Sequence, residues 1–328
     1  MTSFWNDLPQ PFFILAPMEA VTDVVFRHVV ERAGAPDVFF TEFANATGWV
    51  HAGDRAIAGR LVKTDDEHPL VAQIWGGEPG DMEQFAQHCA RLGFAGIDIN
   101  MGCPAKSAIK SGGAALIRNP DVAIAAIAAA KTAGLPVSVK TRLGYSAVDE
   151  WRAWLTTLLQ QDIINLTIHL RTKKEMSKVA AHYELIDDIV ALRDAIAPQT
   201  LLTINGDIRD RAHGMALVAT HPGVNGVMIG RGVFADPFCF APHADDAVQS
   251  AGSLVQRNFA LLRYHLDLFD HWQPQLGRPY ETLKRFYKIY IRDFDGAKEL
   301  RDQLMHTTST VEARRVIHRW HETMRTSE

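Results

Sequence analysis

The chain has 328 residues, 47% of them apolar and 22% charged, with a net charge of −4; this allows a large core in about two domains and excludes identifying a nucleic-acid binder from global charge. Three widely spaced cysteines (Cys89, Cys103, Cys239) form neither a disulfide framework nor a zinc pattern, so a reducing compartment and no metal are expected. FFILA near the N-terminus is too short for a signal peptide, and VAIAAIAAA falls short of the roughly 20 apolar residues of a membrane helix, so a cytoplasmic protein without membrane contact is expected.

Eight short apolar runs follow one another along the chain: FFILAP (12–17), VFFTEF (38–43), LVAQIW (70–75), GIDIN (96–100), VSVKT (137–141), NLTIHL (165–170), LLTING (201–206) and GVMIGR (226–231). They are apolar on both faces, as parallel strands covered by helices must be. Helical segments lie between them. DMEQFAQHCARLG and NPDVAIAAIAAAKTAG each end near a capping glycine, and the second opens with Asn-Pro. Eight strand–helix units in this span predict a (β/α)8 TIM barrel over residues 1–242, with a doubly wound sheet as the competitor. HADDAVQSAG reads as a linker. Residues 251–328 show only helical periodicity and are expected to form a second, all-helical domain.

In such a barrel the active site is built at the C-terminal ends of the strands. Here those ends carry Ala16-Pro17-Met18, Gln73, Asn100 with Cys103, Lys140 with Arg142, His169 with Arg171, Asn205-Gly206-Asp207 and Gly230-Arg231-Gly232. Gly206, Gly230, Gly232 and Arg231 would suit a phosphate, because the glycines let the backbone approach and Arg231 adds charge. GRGVFA also fits the loose G-x-G-x-x-A pattern, but no further strand completes a βαβ unit, so a single phosphate is preferred to a dinucleotide. Gln73, Asn100, Lys140 and His169 would then face a flat polar heterocycle, and flavin mononucleotide (FMN) is the cofactor these features suggest.

LAPMEAVTD, INMGCPAKS, SVKTRLGY, HLRTK, INGDI and VMIGRG stand in the order and spacing of the tRNA-dihydrouridine synthases, which the chain resembles over most of its length. RFYKIYIRDFDGAKELRDQL resembles that family's C-terminal segment. The resemblance implies an FMN barrel, a helical tRNA-binding domain, and NADPH- or NADH-driven reduction of the C5–C6 bond of particular tRNA uridines. FMN contacts would fall on Ala16, Pro17, Met18, Gln73, Lys140, His169, Asn205, Gly206, Asp207, Gly230 and Arg231. Asn100, Arg142 and Arg171 would lie on the substrate side, and Cys103 matches the proton donor. Four departures stand out: MEAVTD where MAGVTD is common, Leu170 where glycine often separates His and Arg, the loosely matching KKEMSKVAAHYELI after it, and a loop after Cys103 about one residue short.

A free thiol is mostly protonated at neutral pH, which suits Cys103 to general acid work; a nucleophilic thiol is the chemical rival. From residue 251 onward there are 13 Lys+Arg against 10 Asp+Glu, a balance of +3, and the remainder has 21 against 28, a balance of −7. Lys284, Lys288 and Arg292 recur at helical spacing, with Arg285 beside them and Phe286, Ile289 and Phe294 expected on the core side. From charge alone this one helical stripe reads as a solvated basic face; the family resemblance implies that it contacts tRNA, in a protein expected to act as a monomer. The alternatives are an FMN barrel reducing a small enone or free pyrimidine, a barrel aldolase using Lys140, and an RNA-folding protein without chemistry.

Overall fold

The apolar runs become parallel strands because neither of their faces meets water. In the computed structural model, which describes residues 3–242 and 253–325, these are β1 (Phe12–Leu15), β2 (Phe39–Phe40), β3 (Ala44–Asn45), β4 (Leu70–Trp75), β5 (Gly96–Met101), β6 (Val137–Arg142), β7 (Asn165–His169), β8 (Leu201–Asn205) and β9 (Gly226–Ile229). Every residue of β1, β5 and β9 is buried. The strands pair in the order β2-β4-β5-β6-β7-β8-β9-β1, all parallel, with β3 as a short extra partner of β4. One parallel bridge, Ile14 to Val38, completes the circuit in place of a full ladder. The expected TIM barrel is thus the observed fold. Its second strand is shorter than expected: VFFTEF keeps only Phe39 and Phe40 in the ladder, followed by the buried polar residues Thr41 and Glu42.

Strand register stacks the inward residues in tiers. Asp98 lies beside Gln73 and Ser138; Asn100 beside Lys140; Arg142 beside His169, which lies beside Asn205, which lies beside Met228. The interior is divided. Phe12, Ile14, Val38, Phe40, Val71 and Met228 form an apolar cluster with Trp5, backed by Phe4, Leu8 and Leu201. The β5–β8 side is polar, holding Asp98, Asn100, Ser138, Thr167, Thr203 and Asn205.

The chain divides into two compact units. One comprises the described residues up to Asp23 together with Pro36–Arg231; the other comprises Val24–Ala35 and the described residues from Gly232 on. The helix Val24–Ala33 and the segment 232–242 therefore group with the helical unit, although the sequence pattern alone assigns them to the barrel. HADDAVQSAG lies outside the described residues. The longest helix of the second unit, Leu254–Leu276, starts at a capping box in which Ser253 and Gln256 bond reciprocally, and stops at Gly277 in the left-handed region. Its buried centre is partly polar: the Tyr280 hydroxyl meets those of Tyr287 and Thr307 at 2.5 and 2.6 Å, and His265 meets Tyr290 at 2.7 Å. No single helix among the described residues is long and apolar enough to cross a membrane.

Candidate active site

The expected tip of β5 is a tight turn held by one side chain. Asn100 Oδ1 accepts the backbone N–H groups of Gly102 (3.1 Å) and Cys103 (2.9 Å). Asn100 Nδ2 donates to Gln73 Oε1 at 3.0 Å, and Gln73 Nε2 donates to Asp98 Oδ2 at 2.6 Å. Ser138 donates to the other Asp98 oxygen at 2.6 Å. Every donor in this chain points toward Asp98. Burial pushes the Asp98 carboxyl up to about 6, opposed by the hydrogen bonds from Ser138 and Gln73 and by the Lys140 charge.

Cys103 is half-buried and free. Its carbonyl accepts the Ala114 N–H at 3.1 Å, which folds the following loop back onto the thiol turn. Burial raises the Cys103 pKa, partly countered by the Ala105 backbone N–H and the Arg142 charge, so the thiol keeps its proton at neutral pH. Cys89 and Cys239 are buried.

Lys140 projects from β6 and reaches Asn205 Oδ1 at 3.4 Å, while Asn205 Nδ2 donates to the Met228 carbonyl at 2.8 Å. Burial, then the Arg142 charge, bring the Lys140 ammonium down to about 8; Asp98 and Cys103 oppose this. His169 is held neutral by burial and by the surrounding cations Arg142, Lys140, Arg171 and Arg231. Its Nε2 lies 3.2 Å from Arg171 Nη1. Arginine can only donate, so Nε2 accepts and the proton sits on Nδ1.

Arg171 and Arg231 converge on Asp207. The Arg171 guanidinium pairs with Asp207 and also donates to the Val179 carbonyl at 2.7 Å; Arg231 Nη2 reaches Asp207 Oδ1 at 3.1 Å and stays 65% exposed. Gly206 has φ +128°, and a Cβ there would press on Ala181 and His169, at 3.1 and 3.3 Å. A Cβ at Gly230 would meet Ala16 at 3.4 Å, and Met18 lies at the same spot. Pro17 is buried beneath, and Thr22 holds the Met18 turn by accepting its N–H at 2.9 Å.

Fifteen of the sequence-chosen residues lie in the barrel unit, at or near strand C-termini. Arg142 differs from the rest. Its Nε and Nη1 are bonded to the carbonyls of Gly102, Thr172 and Met176, fastening the loops after β5 and β7. Burial lowers its pKa to about 10, still cationic at neutral pH.

The four tail residues separate. Lys284, Arg285 and Lys288 line a cleft of about 560 Å³ with Lys298 and Arg301. Arg292 does not join them, which corrects the single stripe. The helical turns are two short pieces, Glu281–Lys284 and Tyr287–Tyr290, and Ile291 leaves helical geometry at ψ 85°. The Arg292 guanidinium bonds the Ala235 carbonyl and, at 2.6 Å, Asp293. Phe286 and Ile289 are buried as expected, while Phe294 is only half-buried.

Sequence reasoning missed Asp98, Ser138 and Tyr183, whose hydroxyl donates to the Gly206 carbonyl at 2.6 Å. The visible signal for Asp98 was a carboxylate between two isoleucines in a strand with no wet face. The Glu19 carboxylate pairs with Arg60 at the end of β1. Ala20 beside it has φ +57°, at the position where the common motif has glycine.

A parallel barrel with a thiol, an amine, an imidazole and two glycines at its strand ends has the layout of a barrel enzyme. The chain belongs to the dihydrouridine synthase (Dus) family, whose profile matches residues 14–325. It is 56% identical over 317 residues to a protein of Bacillus subtilis strain 168 described as probable tRNA-dihydrouridine synthase 2, covering 96% of this chain and 95% of that one. It is 53% identical over 317 residues to a probable tRNA-dihydrouridine synthase of Staphylococcus aureus strain Mu50, covering 96% and 94%. The counterpart in Staphylococcus epidermidis strain RP62A is also 53% identical, covering 96% and 95%.

Proposed function

We propose that this protein is a tRNA-dihydrouridine synthase that reduces the C5–C6 double bond of specific tRNA uridines, with FMN as cofactor and NADPH or NADH as reductant. One arrangement carries the reading: a protonated thiol on a rigid turn, Cys103, stands at the barrel mouth where Lys140, His169 and Asn205 also end. The residues fit the cofactor. At Gly206, where φ is +128°, a Cβ would crowd Ala181 and His169, at Gly230 the backbone carries no side chain toward the mouth, and the exposed guanidinium of Arg231 suits a phosphate.

When bound, FMN supplies the hydride that adds to C6. Cys103 delivers the proton to C5, and the thiol is restored by solvent. Lys140 would set a positive charge beside the flavin, and Gln73, His169 and Asn205 would orient the ring through hydrogen bonds. Ala16, Pro17 and Met18 provide an apolar wall. Gly206, Asp207, Gly230 and Arg231 would receive the phosphate. Asn100, Arg142 and Arg171 lie on the substrate side, where Asn100 positions the Cys103 turn and the two arginines brace the loops around the base. The target base must leave its stack to reach such a mouth. The helical domain, residues 251–328, contributes tRNA contacts through Lys284, Arg285 and Lys288. The protein works as a monomer in the cytoplasm.

The deciding experiment maps dihydrouridine in tRNA from cells lacking this protein. Loss at one or a few positions, restored by the wild-type gene, is the expected outcome. An unchanged dihydrouridine profile overturns the reading.

A further inference from the structure

The barrel domain is acidic, yet its charge is not spread evenly. The segment from Gly102 to Asn119, which begins with the Cys103 turn, contains Lys106, Lys110 and Arg118 and no acidic residue. The loop after β7 adds Lys173, Lys174 and Lys178 against one acid, Glu175. That carboxylate is turned inward, accepting the Thr172 N–H at 2.7 Å and meeting His182 at 3.0 Å. Both loops follow strand C-termini, so the basic residues collect on the rim that bears the active site.

Within this rim Arg118 and Lys173 share one aromatic ring. The Arg118 guanidinium lies 4.1 Å and the Lys173 ammonium 4.6 Å from the centroid of Tyr145, in the loop after β6. Neither cation has an acidic partner among the described residues. The ring is rigidly placed. The Glu150 carboxylate accepts the N–H groups of Tyr145 (2.6 Å), Ser146 (3.1 Å) and Ala147 (3.0 Å). Lys173 and Lys174 donate their own N–H groups to the Gly144 and Tyr145 carbonyls at 2.8 and 2.9 Å. Two like charges fixed around one ring repel each other, and an anion placed between them relieves that repulsion. In the same loop as Lys173, Met176 and Val179 are 46% and 43% exposed, apolar surface of the kind on which an unstacked base can rest.

We propose that Arg118, Tyr145 and Lys173 form a contact site for the phosphodiester backbone of RNA on the rim of the barrel, distinct from the basic cleft at Lys284, Arg285 and Lys288. It rests on the function proposed above and deepens it. Unpaired cations around an aromatic ring, with exposed apolar side chains alongside, match a polyanion carrying flat bases better than an acidic protein surface.

The test measures tRNA affinity of the full-length protein at several salt concentrations, for wild type, Arg118→Ala/Lys173→Ala, and the charge-keeping Arg118→Lys/Lys173→Arg. The alanine pair should bind about 10-fold more weakly at low salt, with the log–log salt slope reduced by about 1–2, since each phosphate contact contributes about 0.7–0.9. The charge-keeping pair should recover most of the affinity, and all three proteins should melt at similar temperatures. A steep wild-type slope left unchanged in the alanine pair overturns the rim site and leaves the proposed function standing. Wild-type protein without salt-dependent tRNA binding overturns the function itself, and a preference for acidic polypeptide over tRNA reassigns the rim to a protein partner.

Discussion

The Asp98 carboxylate accepts the Gln73 Nε2–H at 2.6 Å, and that contact decides which way two amides face. An ionised carboxylate can only accept, so Gln73 must turn its nitrogen inward and its oxygen toward Asn100. Asn100 must then turn its own oxygen to the Cys103 turn. Asp98→Asn removes this direction, because an amide offers a donor as readily as an acceptor. The variant should hold FMN roughly 10-fold more weakly, about 1.4 kcal/mol, measured by fluorescence of released flavin.

The same residue predicts a pH signature. The folded pKa of Asp98, about 6, lies above the unfolded value of about 3.9, so the native state binds its proton more tightly. The stabilisation is complete below about pH 4 and is lost as pH rises through about 6, a change of about 3 kcal/mol at most. Melting curves of wild type and Asp98→Asn from pH 4 to 8 should therefore converge or cross on that rise and run parallel above it. A constant difference across the range would place the ionisation elsewhere.

Cys103→Ala should lower uridine reduction by roughly 10²–10⁴-fold, the usual scale for a lost general acid. FMN retention and flavin reduction by NADPH should persist, because the thiol enters only at the proton step. In the wild type the proton-transfer step should slow above the raised thiol pKa, where the proton is lost. Single-turnover oxidation of reduced flavin by tRNA, followed by absorbance, separates these steps.

Arg231→Ala should weaken FMN retention by about 1.5–3 kcal/mol, the range of a charge-assisted phosphate contact. Asp207 would keep its pairing with Arg171, so the fold should survive and melting of the flavin-free protein should change little. Equal flavin retention in variant and wild type would remove Arg231 from the phosphate site.

The tail residues should behave differently from one another. Lys284→Ala with Lys288→Ala should flatten the salt dependence of tRNA binding by about 1–2 units. Arg292→Ala should leave that slope unchanged and lower the melting temperature instead, since its guanidinium bonds the Ala235 carbonyl. Salt titrations and melting curves on the same preparations distinguish the two effects.

The barrel was legible because each strand is apolar on both faces and each polar residue at its end is an exception to that rule. Gln73, Asn100, Cys103, Lys140, His169 and Asn205 were visible as such exceptions. Asp98 was not, because it lies inside its strand and its role depends on the register that sets it beside Gln73 and Ser138. Arg142 looked the same as Arg171 in sequence, and only the carbonyls around it reveal a loop fastener. The basic stripe failed at Ile291 because i, i+4 spacing holds whether or not the backbone stays helical to the last residue.

The seam between β1 and β9 has a consequence for how the chain is made. Phe12 pairs with Gly226, more than 200 residues away, and the glycine is needed because a Cβ there would lie 2.1 Å from the Phe12 ring. Until that glycine has left the ribosome, β1 and β8 each expose an unpaired backbone edge, and such edges invite pairing with other chains. A nascent chain stalled before residue 226 is therefore a sticky, half-open cylinder, and its dependence on chaperones should end within the few residues that carry β9 through Ile229.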